Sequence, residues 1–497
     1  MSRFVEIPCG QTIPPDNIHA VSVSIPKLGE VIAYEKNELE IKEKIKSGYP
    51  RFITHPLIFK IQKLLHQKHN IDKNKEIVLV SSQMAIVELF GFLGKQFDII
   101  EDRGICGICI TKDTSDIKNA RLFLQHTGYI PSSRMAEHFL FENGVLLNKF
   151  NEDLYSMDNP KGFIKTTLAE AYDLKNRDSI SIGICGMNVI FTAFRSLEII
   201  QRKEERNIFI QFGWLYLDTM EILKKFSGNY IFFESITSIT ELDKFIKANG
   251  SRIAAIFAEV TTNPLIQTPN LIRLHKLAKQ HDIPVVVDAT FGTPYNVDVK
   301  PYSDIIIESL TKFASGNADL LMGAIIINEL SPWYSEMMKQ IPFFLESPFE
   351  GDIRRLAHEI KGYENRMKKI NQNTFVLIDY FTNCKKIKEI YWPYQEISRD
   401  NYLAIQKHSN AAGGVISIVF NEALEKIYDK IKLPKGPSLG TEFTLLMPYV
   451  YFAHYDLIST KKGRKYLKSI GIHPDLLRVS VGIENVDSII GMFEEAL

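Results

Sequence analysis

The sequence predicts an α/β protein with a mostly parallel central sheet covered by helices, a smaller α+β carboxyl-terminal domain and an extra amino-terminal region. Two observations indicate this fold class. Between 180 and 327, short apolar strand segments alternate with helical segments, as in parallel sheets covered on both faces. After about residue 330, long helices are followed by short strands. We therefore divide the chain into an amino-terminal extension over 1–150, a large domain over 151–330 and a small domain over 331–497.

Composition and charge narrow the possible classes of function. At 497 residues, of which 45% are hydrophobic, the chain is long enough for two or three domains. Lysine plus arginine equals aspartate plus glutamate at 59 each, so no overall charge would attract nucleic acid or an anionic membrane. The opening residues lack the apolar core of a signal peptide, no run is long enough to span a membrane, and five cysteines are too few for a disulfide framework. We therefore expect a cytoplasmic protein without a nucleic-acid or membrane partner.

The amino-terminal extension is predicted to contain alternating helices and strands. The segment LIFKIQKLLHQK is amphipathic and follows a proline, which is typical of the start of a helix. After it come a strand, EIVLV, a turn into another helix at Ser81-Ser82-Gln83, and a second strand, GICGICI. Cys106 and Cys109 lie in this last apolar run without a second pair at zinc spacing. We interpret the two cysteines as apolar packing residues of a strand and expect no metal site.

The large domain begins, after a polar stretch from Asn151 to Lys161, with a helix and the strand SISIGI. This strand leads through Cys185, Gly186 and Met187 into the helix VIFTAFRSLEII. A strand, a turn of small residues and a helix amino terminus form an anion site, because unpaired N–H groups point outward and the helix dipole favours negative charge. We therefore expect the backbone amides of Gly186 and Met187 to bind a phosphate group.

The stretch from Ile283 to Ile327 holds two buried strands, each followed by a polar residue at the sheet edge where open α/β sheets bind ligands. Asp288 ends the first strand, and Lys312 follows the second between the hydroxyls of Ser309 and Thr311. This set suits pyridoxal phosphate (PLP). Lys312 would bond the aldehyde of the cofactor, while Ser309 and Thr311 would hold phosphate oxygens. Asp288 would keep the pyridine nitrogen protonated, which makes the ring an electron sink.

Two further residues are predicted at strand ends between these motifs. A strand delivers Tyr216 to the start of a helix, where its ring could stack on the pyridine and its phenol could join proton transfers. We therefore expect Lys312 and Tyr216 to be the catalytic residues. Asn263 follows the strand IAAIFAEV and could donate to the 3-oxygen of the cofactor. A core tyrosine and a turn asparagine before proline are the alternative interpretations of these two residues.

These segments resemble a known family. The motifs V-V-V-D-A-T-F-G-T-P-Y, S-L-T-K and G-N-A-D-L-L-M-G-A are similar to the cofactor-lysine region of the fold-type I, PLP-dependent trans-sulfuration enzymes, the cystathionine γ-synthase and γ-lyase family. The resemblance runs from Ala169 to the carboxyl terminus and is strongest between Glu259 and Gly323. It implies a fold-type I transferase with PLP in the large domain. The longer fungal-type cystathionine γ-synthases look closest, because they carry a similar amino-terminal extension.

The resemblance also implies roles for residues of the small domain. Ser438-Leu439-Gly440 and the strand around Arg478 are similar to the family's Ser-Leu-Gly and Arg-x-Ser-x-Gly motifs, which frame the substrate. Arg478 would grip the carboxylate of an amino acid, because a planar guanidinium binds it bidentately and orients the Cα–H bond. Ser438 is the second predicted substrate-binding residue. The chain departs from the family at Glu442, which lies one position early, and at Leu217-Asp218, where the family has two glycines.

The family also carries an arginine, in a Tyr-x-Arg segment, that reaches the phosphate of a neighbouring subunit. Two arginines of the extension fit this role by resemblance, Arg51 in Tyr49-Pro50-Arg51 and Arg134 in HTGYIPSSRMAE. Sequence reasoning leaves the choice between them open, and a surface salt bridge is the alternative for each. The resemblance implies a homodimer or homotetramer.

The predicted activity is a PLP-dependent γ-substitution that joins an O-acylhomoserine to cysteine and forms cystathionine. Cystathionine γ-lyase and O-acylhomoserine sulfhydrylase would use the same residues and are the alternatives within this class. A non-catalytic assembly module that keeps the fold is the alternative from a different class. The intact set favours the enzyme, because a binding module has no need of an electron-sink aspartate. Its members are Tyr216, Asp288, Ser309, Thr311, Lys312 and Arg478.

Overall fold

The computed structural model describes residues 7–497, and within them no helix is both long and apolar enough to cross a membrane. The described residues form four sheets, of two, seven, four and three strands. The predicted α/β class is confirmed, with a mostly parallel central sheet. The domain limits at 150 and 330 remain our proposal.

The amino-terminal region contains a small antiparallel sheet covered by helices. Strands pair in the order β3-β5-β4, and α3 and α6 pack on one face around an apolar cluster that includes Ile61, Leu79 and Phe139. The predicted helix after Pro56 is confirmed as α3, and Cys106 and Cys109 are buried on β5. The elements of this region are β1 (Thr12–Ile13), β2 (Ser22–Val23), α1 (Leu28–Glu35), α2 (Leu39–Lys44), α3 (Pro56–Lys68), β3 (Lys75–Val80), α4 (Gln83–Leu93), β4 (Asp98–Asp102), β5 (Ile105–Thr111), α5 (Ser115–Thr127) and α6 (Ser133–Glu142).

The central sheet has the strand order β6-β12-β11-β10-β9-β7-β8. Only β12 runs antiparallel to its neighbours among these strands, and the β-branched and apolar residues of the inner strands are buried. Helices cover both faces, as expected for a sheet whose strands have no polar face. The elements are α7 (Pro160–Ala171), β6 (Ile180–Gly183), α8 (Gly186–Arg202), β7 (Ile208–Phe212), α9 (Leu217–Phe226), β8 (Asn229–Phe233), α10 (Ile239–Asn249), β9 (Ile253–Glu259), α11 (Leu271–Lys279), β10 (Val285–Asp288), β11 (Ile305–Ser309) and β12 (Gly323–Ile327).

The carboxyl-terminal region combines helices with an antiparallel sheet of order β13-β14-β16-β15. The long helices expected after about residue 330 include α13 and α14, which a 3-10 turn over Ile360–Gly362 separates. The elements are α12 (Tyr334–Gln340), α13 (Glu350–Glu359), α14 (Tyr363–Asn383), β13 (Ile387–Tyr391), α15 (Arg399–Leu403), β14 (Val415–Phe420), α16 (Leu424–Ile427), β15 (Leu445–Pro448), α17 (Tyr449–Ala453), α18 (Tyr455–Ile458), α19 (Lys461–Ser469), β16 (Leu477–Ser480) and α20 (Val486–Glu494).

Candidate active site

A cavity of about 210 Å³ lies where the carboxyl ends of the parallel strands meet. Parallel strands end at the same edge of a sheet, so residues far apart in sequence converge there. The cavity is lined by nine of the ten predicted site residues, which are Gly186, Met187, Tyr216, Asn263, Asp288, Ser309, Lys312, Ser438 and Arg478. Thr311 is the exception. Its hydroxyl donates to the carbonyl of Met322 at 3.3 Å and accepts from the Met322 amide at 3.1 Å, so it ties two chain segments together.

Lys312 follows β11 and extends into the cavity. Its Nζ donates to Ser438 Oγ at 3.2 Å and lies 4.9 Å from the centre of the Tyr49 ring. Burial, together with the charges of Arg478 and Arg51, lowers the pKa of the Lys312 amine to about 7. A large fraction of the amine is therefore neutral near pH 7, as a nucleophile for an aldehyde must be.

Asp288 and Glu259 form a pair of carboxylates under the cavity, opposite each other on the parallel strands β10 and β9. Asp288 Oδ1 accepts a hydrogen bond from the Thr290 amide at 2.9 Å. Burial raises the pKa of both carboxyls, and no cation in the described chain offsets it. A protonated pyridine nitrogen would supply the missing positive charge, so these residues fit PLP.

The amino terminus of α8 lines the cavity. Gly186 and Met187 begin the helix directly after β6, and Ser309 at the end of β11 faces them. A Cβ added to Gly186 would lie 3.0 Å from both Cβ and Oγ of Ser309, so a side chain there would fill the space between the two segments. The amides at the start of α8 and the hydroxyl of Ser309 are suited to phosphate oxygens.

Arg51 reaches the cavity, whereas Arg134 does not. The Arg51 Nη2 donates to the Tyr216 hydroxyl at 2.6 Å, and its Nη1 donates to Asp218 Oδ2 at 2.6 Å. Arg134 is buried in a separate ion-pair cluster, where it donates to both carboxylate oxygens of Glu152 at 2.7 and 2.6 Å. Of the two arginines left open by the sequence, only Arg51 is placed to meet a ligand in the cavity.

Arg478 lies on β16 at the opposite end of the cavity. Its Nη2 donates to the Ser438 carbonyl at 2.9 Å, and its Nη1 donates to Asn263 Oδ1 at 3.3 Å. Burial lowers the pKa of the guanidinium to about 10, and no carboxylate in the described chain compensates it. A buried guanidinium without an acidic partner is suited to the carboxylate of an incoming amino acid.

Sequence reasoning missed three residues that the structure places in or beside the cavity. Tyr49 stacks near Lys312, and its position two residues before Arg51 was the available signal. Asp218 pairs with Arg51 and stands where the sequence departs from the family pattern. Tyr449 packs 5.4 Å from Arg478 and has a buried hydroxyl without a hydrogen-bond partner in the described chain, but no local pattern in the sequence marks it.

The sheet, the lysine after β11 and the aspartate at the end of β10 define a fold-type I PLP-dependent enzyme. A sequence profile described as "Cys/Met metabolism PLP-dependent enzyme" matches residues 171–497. The chain belongs to this family, and its cofactor is PLP. The predicted resemblance to trans-sulfuration enzymes is thus confirmed, and membership in this enzyme family removes the alternative of a non-catalytic module.

Several curated relatives match almost the whole chain. The L-2-amino-4-chloropent-4-enoate dechlorinase/desaturase of Streptantibioticus cattleyicolor is 34% identical over 97% of this chain and 97% of its own length. The cystathionine gamma-synthase of Neurospora crassa is 27% identical and covers 98% of this chain and 97% of its own length. Both relatives therefore include the amino-terminal extension.

Solved structures share the fold at lower identity. The cystathionine gamma synthase of Xanthomonas oryzae pv. oryzae, solved in complex with cystathionine, matches with a TM-score of 0.56 and 19% identity over 70% of this chain and 88% of that chain. The cystathionine gamma-lyase of Lactobacillus plantarum, complexed with L-serine, matches with a TM-score of 0.57 and 18% identity over 71% and 92% of the two chains.

Proposed function

We propose that the enzyme removes the γ-substituent of an activated homoserine and replaces it with the sulfur of cysteine, forming cystathionine. The observation that carries this proposal is the bridge that Ser438 makes between Lys312 and Arg478. Ser438 accepts from Lys312 Nζ at 3.2 Å through its hydroxyl and from Arg478 Nη2 at 2.9 Å through its carbonyl. An amino acid whose carboxylate binds Arg478 would therefore hold its Cα–H and Cβ–H bonds beside the lysine amine.

Each residue of the site has a role that follows from its position. PLP, when bound, supplies the electron sink that acidifies the Cα–H bond. The neutral Lys312 amine accepts the Cα proton and then exchanges protons at Cβ, while Asp288 holds the proton on the pyridine nitrogen. The γ-carbon–oxygen bond breaks, and the acyloxy group leaves with the bonding electrons as a carboxylate. The cysteine thiolate then forms the new carbon–sulfur bond at the same carbon, and the Cβ and Cα protons are restored.

The cavity favours a substrate whose γ-substituent carries no charge while it is attached. The cations that line the described cavity are Arg51, Lys312 and Arg478, and each already has a role with the cofactor or the carboxylate. The remaining wall carries Glu35, whose pKa burial raises to about 7 and which supplies no positive charge, and apolar residues from both ends of the chain: Val23, Ile25, Leu439, Phe452 and Ala453. An O-succinyl or O-phospho group would bury an unpaired negative charge there. We therefore propose an O-acetyl ester as the substrate.

A second candidate is the loss of the γ-substituent without a thiol. The relative from Streptantibioticus cattleyicolor is named for dechlorination and desaturation of an amino acid with chlorine on its fourth carbon, the γ position. A carbon–chlorine bond is also uncharged and fits the same wall. Both reactions begin with Cα deprotonation by Lys312, so the residues above support either. Cystathionine γ-lyase and O-acylhomoserine sulfhydrylase activities remain further alternatives.

The reaction is tested with the purified, PLP-loaded enzyme and a matrix of substrates. O-acetyl-, O-succinyl- and O-phosphohomoserine and L-2-amino-4-chloropent-4-enoate are each combined with cysteine, sulfide or no thiol, and products are identified by mass spectrometry. We expect cystathionine from O-acetylhomoserine with cysteine, and no product with the Lys312→Ala variant. Chloride release without thiol would support the second candidate. Rapid cleavage of cystathionine to 2-oxobutyrate, with no product from any activated homoserine, would overturn the synthase proposal.

Three finer points belong to the same proposal: a place in methionine biosynthesis, a cytoplasmic location and a homodimer or homotetramer. The relative named cystathionine gamma-synthase supports the first. Complementation of a bacterial strain that lacks cystathionine synthesis would test the pathway. Fluorescent tagging and light scattering would test the other two.

A further inference from the structure

We propose that Tyr449 is a substrate-binding residue whose hydroxyl donates a hydrogen bond to the α-carboxylate that Arg478 holds. The proposal rests on the proposed function, because it takes Arg478 as the residue that meets the carboxylate of an amino acid. It does not depend on which γ-substituent is removed or on the thiol that replaces it. Through this hydrogen bond, Tyr449 makes the site selective for amino acids over amines that lack the carboxylate.

The first support is a buried hydroxyl that lacks a partner beside the guanidinium. Tyr449 is the first residue of α17 and lines the same cavity as Arg478. The guanidinium carbon of Arg478 lies 5.4 Å from the centre of the Tyr449 ring. Only 2% of the tyrosine is exposed, and its hydroxyl makes no hydrogen bond within residues 7–497. Burying a hydroxyl without a partner is unfavourable, so we expect a polar group of a ligand to complete it.

The second support is the number of donors that a buried carboxylate needs. A carboxylate has about four acceptor positions, and one guanidinium fills two of them at most. Arg478 already donates through Nη1 to Asn263 Oδ1 at 3.3 Å and through Nη2 to the Ser438 carbonyl at 2.9 Å, so part of its donor capacity is used. Burial raises the pKa of the Tyr449 phenol, which therefore keeps its proton and is a donor. The tyrosine thus supplies a neutral donor next to the guanidinium.

The third support is the packing that fixes the tyrosine ring. The ring of His454 packs against Tyr449 with 5.8 Å between the centroids, and Trp214 packs edge-to-face on His454 at 5.4 Å. Burial lowers the pKa of His454 to about 4, so this imidazole is neutral near pH 7 and does not compete for a carboxylate. The phenol is therefore held beside Arg478 before a ligand arrives, which reduces the entropy lost on binding.

The proposal is tested on the PLP-loaded enzyme with two ligands that differ only in the carboxylate. L-norvaline is an amino acid with no group to lose from its γ-carbon, and butylamine is its analogue without the carboxylate. The affinity for each ligand is measured by titrating the absorbance of the bound cofactor. Tyr449→Phe keeps the ring and removes the hydroxyl. It should weaken norvaline binding about tenfold, the effect of one lost charged hydrogen bond, and leave butylamine binding unchanged.

Tyr451→Phe is the matched control, because it makes the same change two residues further along α17. Tyr451 is buried outside the cavity, where its hydroxyl donates to Asp475 Oδ1 at 3.3 Å, so this variant should bind both ligands as the wild type does.

Thermal unfolding without a ligand gives a second readout. A hydroxyl that serves the ligand has no partner in the free enzyme, so Tyr449→Phe should keep or raise the melting temperature. The loss of a structural hydrogen bond would instead lower it.

Three outcomes would overturn the proposal. Norvaline binding by Tyr449→Phe that equals that of the wild type would mean that the hydroxyl does not meet the carboxylate. Equal losses for norvaline and butylamine would assign the tyrosine to the general packing of the cavity. A clear fall of the melting temperature would mean that the hydroxyl has a structural partner.

Arg478→Gln separates this proposal from the proposed function. If Arg478 binds the carboxylate, this variant should also weaken norvaline binding more than butylamine binding. An Arg478→Gln variant without that preference would contradict the proposed orientation of the substrate. A preference retained in Arg478→Gln but absent from Tyr449→Phe would contradict the role of Tyr449 alone. No activated homoserine and no thiol is used, so the result does not depend on the reaction that the enzyme catalyses.

Discussion

At the scale of single residues, Lys312 owes its reactivity to the charges and the burial around it. Burial, Arg478 and Arg51 lower the pKa of its amine to about 7. Only the neutral amine attacks an aldehyde, so the rate at which the apoenzyme captures PLP should rise as the pH increases through about 7. Stopped-flow absorbance measures this rate. Arg478→Gln removes one neighbouring charge and should move the midpoint upward, whereas Arg121→Gln, the same change at an exposed arginine, should not. A rate that is flat across this pH range would contradict the assignment.

We expect Asp288 to control the protonation of the pyridine nitrogen and to contribute little to the affinity for PLP. Asp288→Asn should keep PLP bound, because Lys312 and the phosphate contacts remain, but an amide does not hold the pyridine nitrogen protonated. Losing such an electrostatic group costs about 3 kcal/mol or more, roughly a hundredfold in rate. Steady-state kinetics together with the cofactor absorbance measure both effects. Turnover near that of the wild type would show that Asp288 is structural.

Arg478→Lys tests how the substrate carboxylate is held. A point charge still attracts the carboxylate but does not fix its plane, so the orientation of the Cα–H bond is lost. We expect KM to rise and kcat to fall together, with the combined loss visible in kcat/KM. The affinity of the apoenzyme for PLP should stay unchanged, because Arg478 lies at the other end of the cavity. A change in KM alone would assign Arg478 to binding without orientation.

At the scale of elements, β11 is tied to two helical segments through one buried carboxyl group. Glu308, next to Ser309, accepts hydrogen bonds from Tyr172 after α7 at 2.7 Å and from Tyr363 at the start of α14 at 2.8 Å. Burial raises the pKa of Glu308 to about 7. These contacts fix the end of the strand from which Ser309 and Lys312 project.

This buried carboxyl group should make stability depend on pH. Because its pKa is higher in the folded state, the folded protein binds the proton more tightly. The stabilisation is complete below the unfolded pKa of about 4.3 and is lost as the pH rises toward 7. Glu308→Gln should therefore flatten the decline of the unfolding free energy over this window, as measured by urea denaturation. Glu364→Gln, an exposed carboxyl change on α14, is the control and should leave the slope as it is.

The sequence could predict which strand ends meet at the cavity. Asp288, Asn263, Tyr216 and Lys312 each follow a strand, and parallel strands end at one edge, so their convergence follows from the alternation of strands and helices. The hydroxyl of Thr311 was predicted to meet phosphate, but here it bonds the backbone of Met322. The direction of this hydroxyl depends on the rotamer of Thr311 and on the position of the segment that contains Met322. The hydrophobic periodicity of the sequence defines neither of them.

The position of Arg51 in the cavity was harder to predict, because it also depends on contacts between segments that are far apart in the sequence. Its partner Asp218 is 167 positions away, on helix α9, and the pairing depends on how the amino-terminal region packs on the large domain. Local patterns give helices and strands but not the packing of one region on another. The Tyr-x-Arg segment and the departure at Asp218 were the available signals, and only the structure joins them.

At the scale of the whole molecule, the amino-terminal region is packed into the enzyme. Helix α5 lies against α8 and α9, and Phe123 and Tyr129 pack edge-to-face on Phe191 of α8 at 6.3 and 5.7 Å between ring centroids. Gly128 ends α5 with φ of +74°, and an added Cβ would lie 2.3 Å from Cys185 Sγ, directly before the first residue of α8. Packing this close means that α8 is a buried helix only while the extension covers it.

Removing residues 1–150 should therefore prevent formation of a soluble enzyme that binds PLP. The deletion exposes the buried aromatic face of α8, which favours aggregation, and it also removes Arg51 and Tyr49 from the cavity. Soluble yield, circular dichroism and PLP titration measure the loss.

A protein that is cleaved between the two regions tests whether PLP binding requires the packing of the extension or an unbroken chain. Asn151 is exposed in the polar stretch between the two regions, so a protease site inserted there allows cleavage after folding. The two fragments should stay associated and keep their affinity for PLP, because the contacts of α5 and Arg51 do not depend on the peptide bond at that point. The opposite result would be that the two fragments dissociate and residues 151–497 alone keep their affinity for PLP. The extension would then be an independent module, contrary to the packing described above.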